Sequence, residues 1–196
     1  MGGMNLEKFI KQLSIDNLED FYRLFSDDKC ENCQCTFYFS ADDMDSWDKM
    51  SIEEAKELRK NITSKCKDGY IYYVDNKPVA WCQCVSPKDV PYLKKLLDIR
   101  NSENTRIISC FYIKKEYRGN GIVKELLEKV IIQCKSEGTE IIYSISVFDE
   151  FLKTIEEERK NEKLHTGYKK LFEQFDFQCI GNNGRYYFMK KDLTIY

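Results

Sequence analysis

The sequence TRIISCFYIKKEYRGNGIVKELLEKVIIQCKSE occupies residues 105–137 and decides the fold. It predicts a buried strand, a tight turn that contains glycine, and an amphipathic helix. The turn carries Arg118, Gly119, Asn120 and Gly121 where the helix begins. Backbone N–H groups at the start of a helix lack partners within the helix, and the helix dipole adds partial positive charge there. This stretch therefore predicts a site for a phosphate-type anion, held mainly by the main chain.

The residues on either side of this stretch predict one compact α/β unit. Strand 105–113 is apolar on both faces, which is typical of a strand in the middle of a covered sheet. A further strand at 140–147 follows the helix, and a strand–helix–strand crossover implies that the two strands are parallel. We expect one face of strand 105–113 to carry Ile107, Phe111 and Ile113, and the other to carry Ile108, Cys110 and Tyr112. The remaining elements predicted are a hairpin of strands 69–75 and 77–86, a helix at 167–175 and a two-strand meander at 178–191.

The N-terminal quarter of the chain is predicted to be mainly helical. Residues 5–25 place apolar side chains at helical spacing, and residues 36–40 predict a short strand. Ser51 and Glu54 form a capping box that begins the next helix. We therefore expect residues 1–50 to form a helical, cysteine-bearing extension packed on a domain of residues 51–196.

The composition excludes several classes of protein. The 196 residues include 31 Lys plus Arg and 33 Asp plus Glu, for a formal net charge of −2. Nucleic-acid binders show a basic excess or stripe, so no nucleic-acid partner is predicted. No apolar run approaches the roughly 20 residues of a membrane helix, and the N-terminus lacks the apolar centre of a signal peptide. With nine cysteines, we expect a cytoplasmic protein whose free thiols serve as small apolar residues.

The glycine turn by itself has more than one interpretation. A glycine pair between a strand and a helix is often plain turn geometry. A dinucleotide-binding turn needs a third glycine, but Glu125 follows the Gly119-x-Gly121 pair. A P-loop needs Gly-Lys-Ser/Thr, which is absent from this turn. The order of the surrounding elements is what separates these interpretations from the next one.

The pattern as a whole resembles the acyl-CoA-binding core of the GNAT superfamily of N-acetyltransferases. The signature of that family is Arg/Gln-x-x-Gly-x-Gly/Ala, and Arg118, Gly121 and Val123 occupy its three defined places. The resemblance extends from about residue 69 to residue 191. Val123 departs from the final Gly or Ala. Further along, Phe172 stands where the family often has Tyr, and Asp176 stands where it has the Gly of a Gly-Phe pair.

The resemblance implies a fold, a co-substrate and an activity. The fold would be α/β (α+β), with a mixed, mostly antiparallel central sheet flanked by helices. The activity would be direct transfer of an acetyl group from acetyl-CoA to a primary amine, on a small molecule or a peptide. Strand 105–113 would separate from the neighbouring strand near residues 145–147. Separately, the meander 178–191 would offer an edge for a homodimer. The implied acetyl-CoA contacts are Phe111, Tyr112, Ile113, Arg118, Gly119, Asn120, Gly121, Ile122 and Val123.

The sequence offers several candidates for the residues that perform the chemistry. A backbone N–H near Phe111 is expected to bind the oxyanion of the tetrahedral intermediate. Glu116 is a candidate base, with helix capping as its other interpretation. Tyr168 is the candidate acid because it precedes Phe172 by one helical turn, although ordinary packing also accounts for it. His165 is the single histidine, a residue type suited to a base. Weaker candidates on the neighbouring strand are Tyr143 and Ser144.

The cysteine spacing leaves two further alternatives open. Cys30-x-x-Cys33-x-Cys35 and Cys82-x-Cys84 would bring two cysteine groups together if the loop approached the strand. Structural zinc sites usually pair two C-x₂-C groups or add histidine, so no metal is expected. Redox sensing through the C-x-x-C pair would need an adjacent cationic cluster that lowers a thiol pKa, and the sequence shows no such cluster there. Because Phe172 replaces the usual Tyr, a non-catalytic acyl-CoA-binding, thiol or metal sensor domain on the same fold is the alternative to an enzyme.

Overall fold

The computed structural model describes residues 6–26, 33–40, 44–155 and 164–194. These residues form one seven-stranded sheet in the order β1-β2-β3-β4-β5-β7-β6. Neighbouring strands are antiparallel except for β4 and β5, which are parallel. The predicted fold class, a mixed and mostly antiparallel sheet flanked by helices, is confirmed. The strands are β1 (Lys8–Gln12), β2 (Gly69–Val74), β3 (Lys77–Val85), β4 (Thr105–Ile113), β5 (Ile141–Val147), β6 (Gln178–Asn182) and β7 (Tyr186–Asp192).

Helices cover both faces of this sheet. The helix after the glycine turn packs on one face through Leu126, Leu127 and Val130, all fully buried. The first helix packs on the other face, where Phe21 meets Trp81 of β3 edge to face. The described helices are α1 (Leu18–Phe25), α2 (Met44–Asp48), α3 (Ile52–Lys65), α4 (Pro91–Leu96), α5 (Ile122–Ser136), α6 (Asp149–Lys153) and α7 (Lys169–Glu173).

Two local predictions for the N-terminal quarter are wrong. Residues Lys8–Gln12 form an edge strand paired with β2, not the start of a helix. The edge of β2 satisfies their backbone groups, and Phe9 stacks on Tyr73 with the ring centroids 5.0 Å apart. Phe37–Phe39 is a 3₁₀ turn, not a strand, because local bonds satisfy its backbone: the N–H of Phe39 donates to the carbonyl of Thr36 at 3.0 Å, and that of Ser40 to the carbonyl of Phe37 at 3.1 Å. The division of the chain at residue 50 stays a prediction.

The capping box predicted for α3 is present. The backbone N–H of Glu54 donates to Ser51 Oγ at 3.2 Å, and the backbone N–H of Ser51 donates to Glu54 Oε2 at 2.8 Å. Each residue satisfies a backbone donor of the other, so the helix begins at Ile52 as the sequence indicates.

The predicted faces of β4 are wrong for two of its residues. Ile108 shares a core cluster with Phe111, whereas Ile107 lies with Val85 on the opposite face. The cause is a β-bulge: Gln83 pairs with Cys110, but the next residue of β3 pairs with Ile108. The extra residue between them shifts the alternation of side chains by one position.

Glu125, in the first turn of α5, connects this helix to β1 and β2 at one edge of the sheet. Lys8 Nζ contacts Glu125 Oε1 at 2.9 Å, and the Tyr72 hydroxyl donates to Glu125 Oε2 at 2.6 Å. These two bonds, with that from Lys8 the stronger influence, hold the pKa of Glu125 below its ordinary value of 4.5. The glutamate therefore stabilises the fold in its charged form.

We expect Glu125 to make a pH-dependent contribution to stability. Because the pKa is lowered on folding, the contribution is present above the unfolded value and is lost as pH falls through the folded value. Glu125→Gln should lower the urea midpoint at pH 7, and its difference from wild type should shrink between about pH 5 and pH 3. Glu128→Gln, an exposed change one turn along α5, is the control. A difference between wild type and Glu125→Gln that stays constant with pH would contradict this account.

Candidate active site

The parallel strands β4 and β5 separate part of the way along their length. Their pairing covers only Thr105–Ile108 of β4 and Ile141–Ser144 of β5. Beyond this point β5 continues against β7 as far as Val147, and β4 continues against β3 as far as Ile113. The edge of β4 that faces β5 is therefore open after the bulge.

The backbone of β4 presents polar groups to this open edge. The N–H of Lys114 donates to the carbonyl of Val79 on β3 at 3.0 Å. Backbone groups in an antiparallel ladder point to alternate sides, so those of Tyr112 also point to β3. Those of Phe111 and Ile113 consequently point to the open edge.

The glycine turn lies at the end of β4 and carries a strong requirement for glycine. Gly119 has φ +79° and Gly121 has φ +77°, a left-handed conformation that side chains disfavour. A Cβ at either position would meet no other atom within 4 Å, so the space above the turn is open. Gly121 is the N-cap of α5 and provides no side-chain cap for the first turn. Arg118 Nε donates to the carbonyl of Ile113 at 2.9 Å and thereby attaches the turn to the open edge.

An open cleft of about 1060 Å³ joins the turn to the strand edge. Of the residues predicted from the sequence, it brings together Phe111, Tyr112, Ile113, Arg118, Val123 and Tyr168. Gly119, Asn120 and Gly121 are exposed and are not among the lining residues, and Ile122 is buried in the core. Among the described residues of the lining, basic side chains outnumber acidic ones. The basic residues are Arg118, Lys124, Lys153, Lys169 and Lys170, and the acidic ones are Asp149 and Glu173. The cleft is therefore suited to an elongated ligand that carries negative charge.

The expected relation between Tyr168 and Phe172 is wrong. Tyr168 is not part of a helix but precedes α7 in extended conformation, with φ −91° and ψ 148°. It forms a bridge with Val147, where β5 has left β4, and its side chain is 48% exposed. Phe172 is fully buried, with its ring 6.0 Å from that of Phe111. Tyr168 thus lines the cleft, whereas Phe172 contributes to the core beneath it.

The candidate bases occupy different places. Glu116 lies exposed on the 3₁₀ turn Lys115–Tyr117 and is not part of the cleft lining. His165 lines the cleft, two residues before Gly167. The sequence alone showed only that His165 lies in a charged segment. Its place in the cleft depends on the bridge between Val147 and Tyr168, which joins residues far apart in the chain. Tyr143 and Ser144 do not line the cleft, and the Ser144 hydroxyl donates to the carbonyl of Ile145.

The sulfur contacts among the described cysteines do not join the two groups that a zinc site would need. Cys35 contacts Cys110 with the sulfur atoms 3.4 Å apart, and on the opposite face of the sheet Cys84 contacts Cys134 at 3.5 Å. Cys35 and the Cys82-x-Cys84 pair therefore lie on opposite faces of the sheet, so the structure does not bring the two cysteine groups together. Within residues 6–26, 33–40, 44–155 and 164–194, no three His, Cys, Asp or Glu side chains are placed to hold a metal ion. Cys30 lies outside the described residues.

The thiol pKa values also bear on the redox alternative. Contact with Cys35 and burial raise the pKa of Cys33 well above that of an ordinary thiol, and contact with Cys110 and burial do the same for Cys35. Thiolate is the reactive form, so both thiols are poorly reactive.

In the part of the chain that the structure describes, no helix is long and apolar enough to cross a membrane.

β4 and β5 separate within the mixed sheet, and the glycine turn and the start of α5 lie beside the separation. This arrangement is that of the class that the sequence resembles, the GNAT-type acetyltransferases. A family model, described as the acetyltransferase (GNAT) family, matches residues 18–157. The chain belongs to this family.

Solved structures share the fold at low sequence identity. PaiA N-acetyltransferase from Thermoplasma acidophilum, in complex with coenzyme A, is 17% identical with a TM-score of 0.55, over 95% of this chain and 99% of that one. The ribosomal-protein-S18-alanine N-acetyltransferase from Escherichia coli is 10% identical with a TM-score of 0.54, over 97% and 96%. Aminoglycoside acetyltransferase AAC(6')-Ib, in complex with coenzyme A, is 8% identical with a TM-score of 0.58, over 96% of each chain. At these identities the similarity shows the fold alone. A search of curated proteins found no match.

Proposed function

We propose that the protein is an N-acetyltransferase that moves the acetyl group of acetyl-CoA directly to a primary amine in a ternary complex. The observation that carries this proposal is that one cleft is lined by the open edge of β4, by Arg118 of the glycine turn and by Val123 and Lys124 of the first turn of α5. Membership of the acetyltransferase family supports it. Two structures of the same fold contain coenzyme A, which supports acetyl-CoA as the donor.

The two parts of the cleft match the two parts of the donor. The pantetheine arm carries amide groups, which can pair with the outward-facing carbonyl of Phe111 and backbone groups of Ile113 as an added strand would. The pyrophosphate carries negative charge, which the N–H groups of residues 119–123 and the dipole of α5 can bind. Arg118 and Lys124 line this end of the cleft and add positive charge. No metal ion is required for this mode of binding.

The chemistry needs an oxyanion donor, a base and an acid. The amine nitrogen attacks the thioester carbonyl, and the N–H of Phe111 is proposed to stabilise the resulting oxyanion. His165 is proposed to take the proton from the amine, with Glu116 as the alternative base. Collapse of the intermediate breaks the carbon–sulfur bond, and the hydroxyl of Tyr168 is proposed to donate a proton to the departing thiolate. The products are the acetylated amine and CoA.

The acceptor is proposed to be a small-molecule or peptide amine, with a cytoplasmic location and no nucleic-acid or membrane partner. Asp149 lines the cleft and carries charge that attracts an ammonium group, whereas Glu173, also in the lining, forms an ion pair with Lys169 at 3.4 Å. A homodimer through the meander of β6 and β7 is also proposed. β6 is the last strand of the sheet, and the Ile180 side chain on it is 50% exposed.

The proposed function predicts amine-dependent consumption of acetyl-CoA. Purified protein is mixed with acetyl-CoA and each member of a panel of amines, and CoA is quantified by liquid chromatography. A thiol reagent is unsuitable because the chain has nine cysteines of its own. We expect at least one amine to raise the rate of CoA release above hydrolysis. Tight binding of CoA with no stimulation by any amine would instead favour a non-catalytic acyl-CoA-binding domain.

A further inference from the structure

The bulge in β4 determines where the backbone of Phe111 points. The N–H of Cys84 donates to the carbonyl of Asp68, beside β2, so the groups of its partner Ile108 point away from β3. In an unbroken strand the groups of Phe111, three residues later, would point toward β3. The extra residue of the bulge reverses this alternation. The Phe111 N–H therefore faces the open edge only because the bulge is present.

Ser109 is the extra residue of the bulge, and its side chain is anchored. The Ser109 hydroxyl donates to Gln83 Oε1 at 2.8 Å, and Gln83 Nε2 donates to the carbonyl of Cys35 at 2.7 Å. Gln83 is completely buried and Ser109 is 1% exposed, so water does not compete for these bonds. The amide of Gln83 thus connects the bulge to the turn that contains Cys35.

The turn that contains Gln34 and Cys35 is held by contacts of its own. Gln34 and Cys35 have left-handed conformations, with φ +43° and +50°, although neither is glycine. Such conformations persist where surrounding contacts fix them. The carbonyl of Gln34 accepts from the buried Arg59, which also forms an ion pair with the buried Asp68. The turn is therefore a rigid support for the Gln83 side chain.

We infer that Gln83 is a positioning residue for acetyl transfer: through Ser109 it holds the β4 bulge, and the bulge aims the Phe111 N–H at the reacting carbonyl. Gln83 does not line the cleft, so it acts through the backbone of β4 and not on the substrate. The inference rests on the proposed function for its catalytic consequence. The effect of Gln83 on the geometry of Phe111 is independent of that function.

Ser109→Ala tests this inference with the smallest change. We expect kcat to fall about tenfold, because small displacements of a catalytic group cost large factors in rate, while the KM for acetyl-CoA changes little. In protein labelled with ¹⁵N-phenylalanine, the Phe111 amide resonance should move in the free variant, and its response to acetyl-CoA should weaken. Gln83→Met, which keeps the apolar packing but removes both hydrogen bonds, should have a larger effect in the same direction.

Ser86→Ala is the matched control. Ser86 is also a buried serine, 6% exposed, and its hydroxyl has no hydrogen-bond partner among the described residues. This variant should match wild type in both measurements. An unchanged Phe111 resonance in Ser109→Ala and Gln83→Met, or equal effects of Ser109→Ala and Ser86→Ala, would overturn the inference. If acetyl-CoA moved no resonance in wild type, the proposed function would fail, and the Phe111 resonance of the free variants would still decide the inference.

Discussion

Replacing Gly121 by valine is expected to weaken acetyl-CoA binding about 100-fold. Gly121 has φ +77°, and a β-branched residue in that conformation is strained. The turn would relax by moving the N–H groups at the start of α5 away from the phosphate. Hydrogen bonds to charged groups contribute roughly 1.5–3 kcal/mol each, so loss of one or two corresponds to about 3 kcal/mol, or 100-fold in affinity. Titration calorimetry with acetyl-CoA measures this change directly.

Gly138→Val separates the effect on binding from the effect on stability. Gly138 follows the other end of α5 and has φ +80°, and a Cβ there would also meet nothing within 4 Å. The strain from the substitution is thus the same, but the site lies away from the cleft. We expect Gly138→Val to lose stability and keep its affinity for acetyl-CoA. Equal affinities in Gly121→Val and Gly138→Val would show that the turn does not bind the donor.

Tyr168→Phe is expected to lower kcat by about 100-fold or more, the usual contribution of a positioned acid. The Tyr168 side chain is 48% exposed, so loss of its hydroxyl should leave stability unchanged. Affinity for acetyl-CoA should also be retained, because the proposed donor contacts come from the backbone of β4 and the glycine turn. Steady-state rates with the best amine of the panel, combined with calorimetric affinities, test this expectation.

Tyr92→Phe is the control for Tyr168→Phe. Tyr92 lies on α4, is 40% exposed and does not line the cleft, so the same chemical change should have no effect on the rate. A rate for Tyr168→Phe within twofold of wild type would remove Tyr168 as the acid. Protonation of the thiolate by solvent would then be the simplest explanation, since Phe172 is buried and carries no hydroxyl.

The parts of the site that the sequence predicted are those built from neighbouring residues. The glycine turn requires left-handed backbone conformations at Gly119 and Gly121, and a short sequence motif is enough to show that requirement. The strand before it and the helix after it follow from the pattern of apolar residues over the same stretch. The fold class followed because the order of elements, and not the turn alone, carried the family resemblance.

The parts that the sequence did not predict depend on contacts between distant residues. β1 is a strand because β2 offers an edge, although the spacing of Leu6, Phe9 and Ile10 also suits a helix. The bulge at Ser109 is one extra residue within a strand that carries apolar side chains on both faces, where side-chain alternation gives no signal. The place of His165 in the cleft depends on the bridge between Val147 and Tyr168, more than 20 positions apart.

The central claim is that the open edge of β4 and the glycine turn together bind acetyl-CoA. Hydrogen–deuterium exchange measured by mass spectrometry, with and without acetyl-CoA, tests it most directly because it reports on backbone N–H groups. The account predicts slower exchange in peptides that cover residues 110–123, and a much smaller effect there in Gly121→Val. Protection confined to other parts of the chain, or no protection at saturating acetyl-CoA, would contradict it.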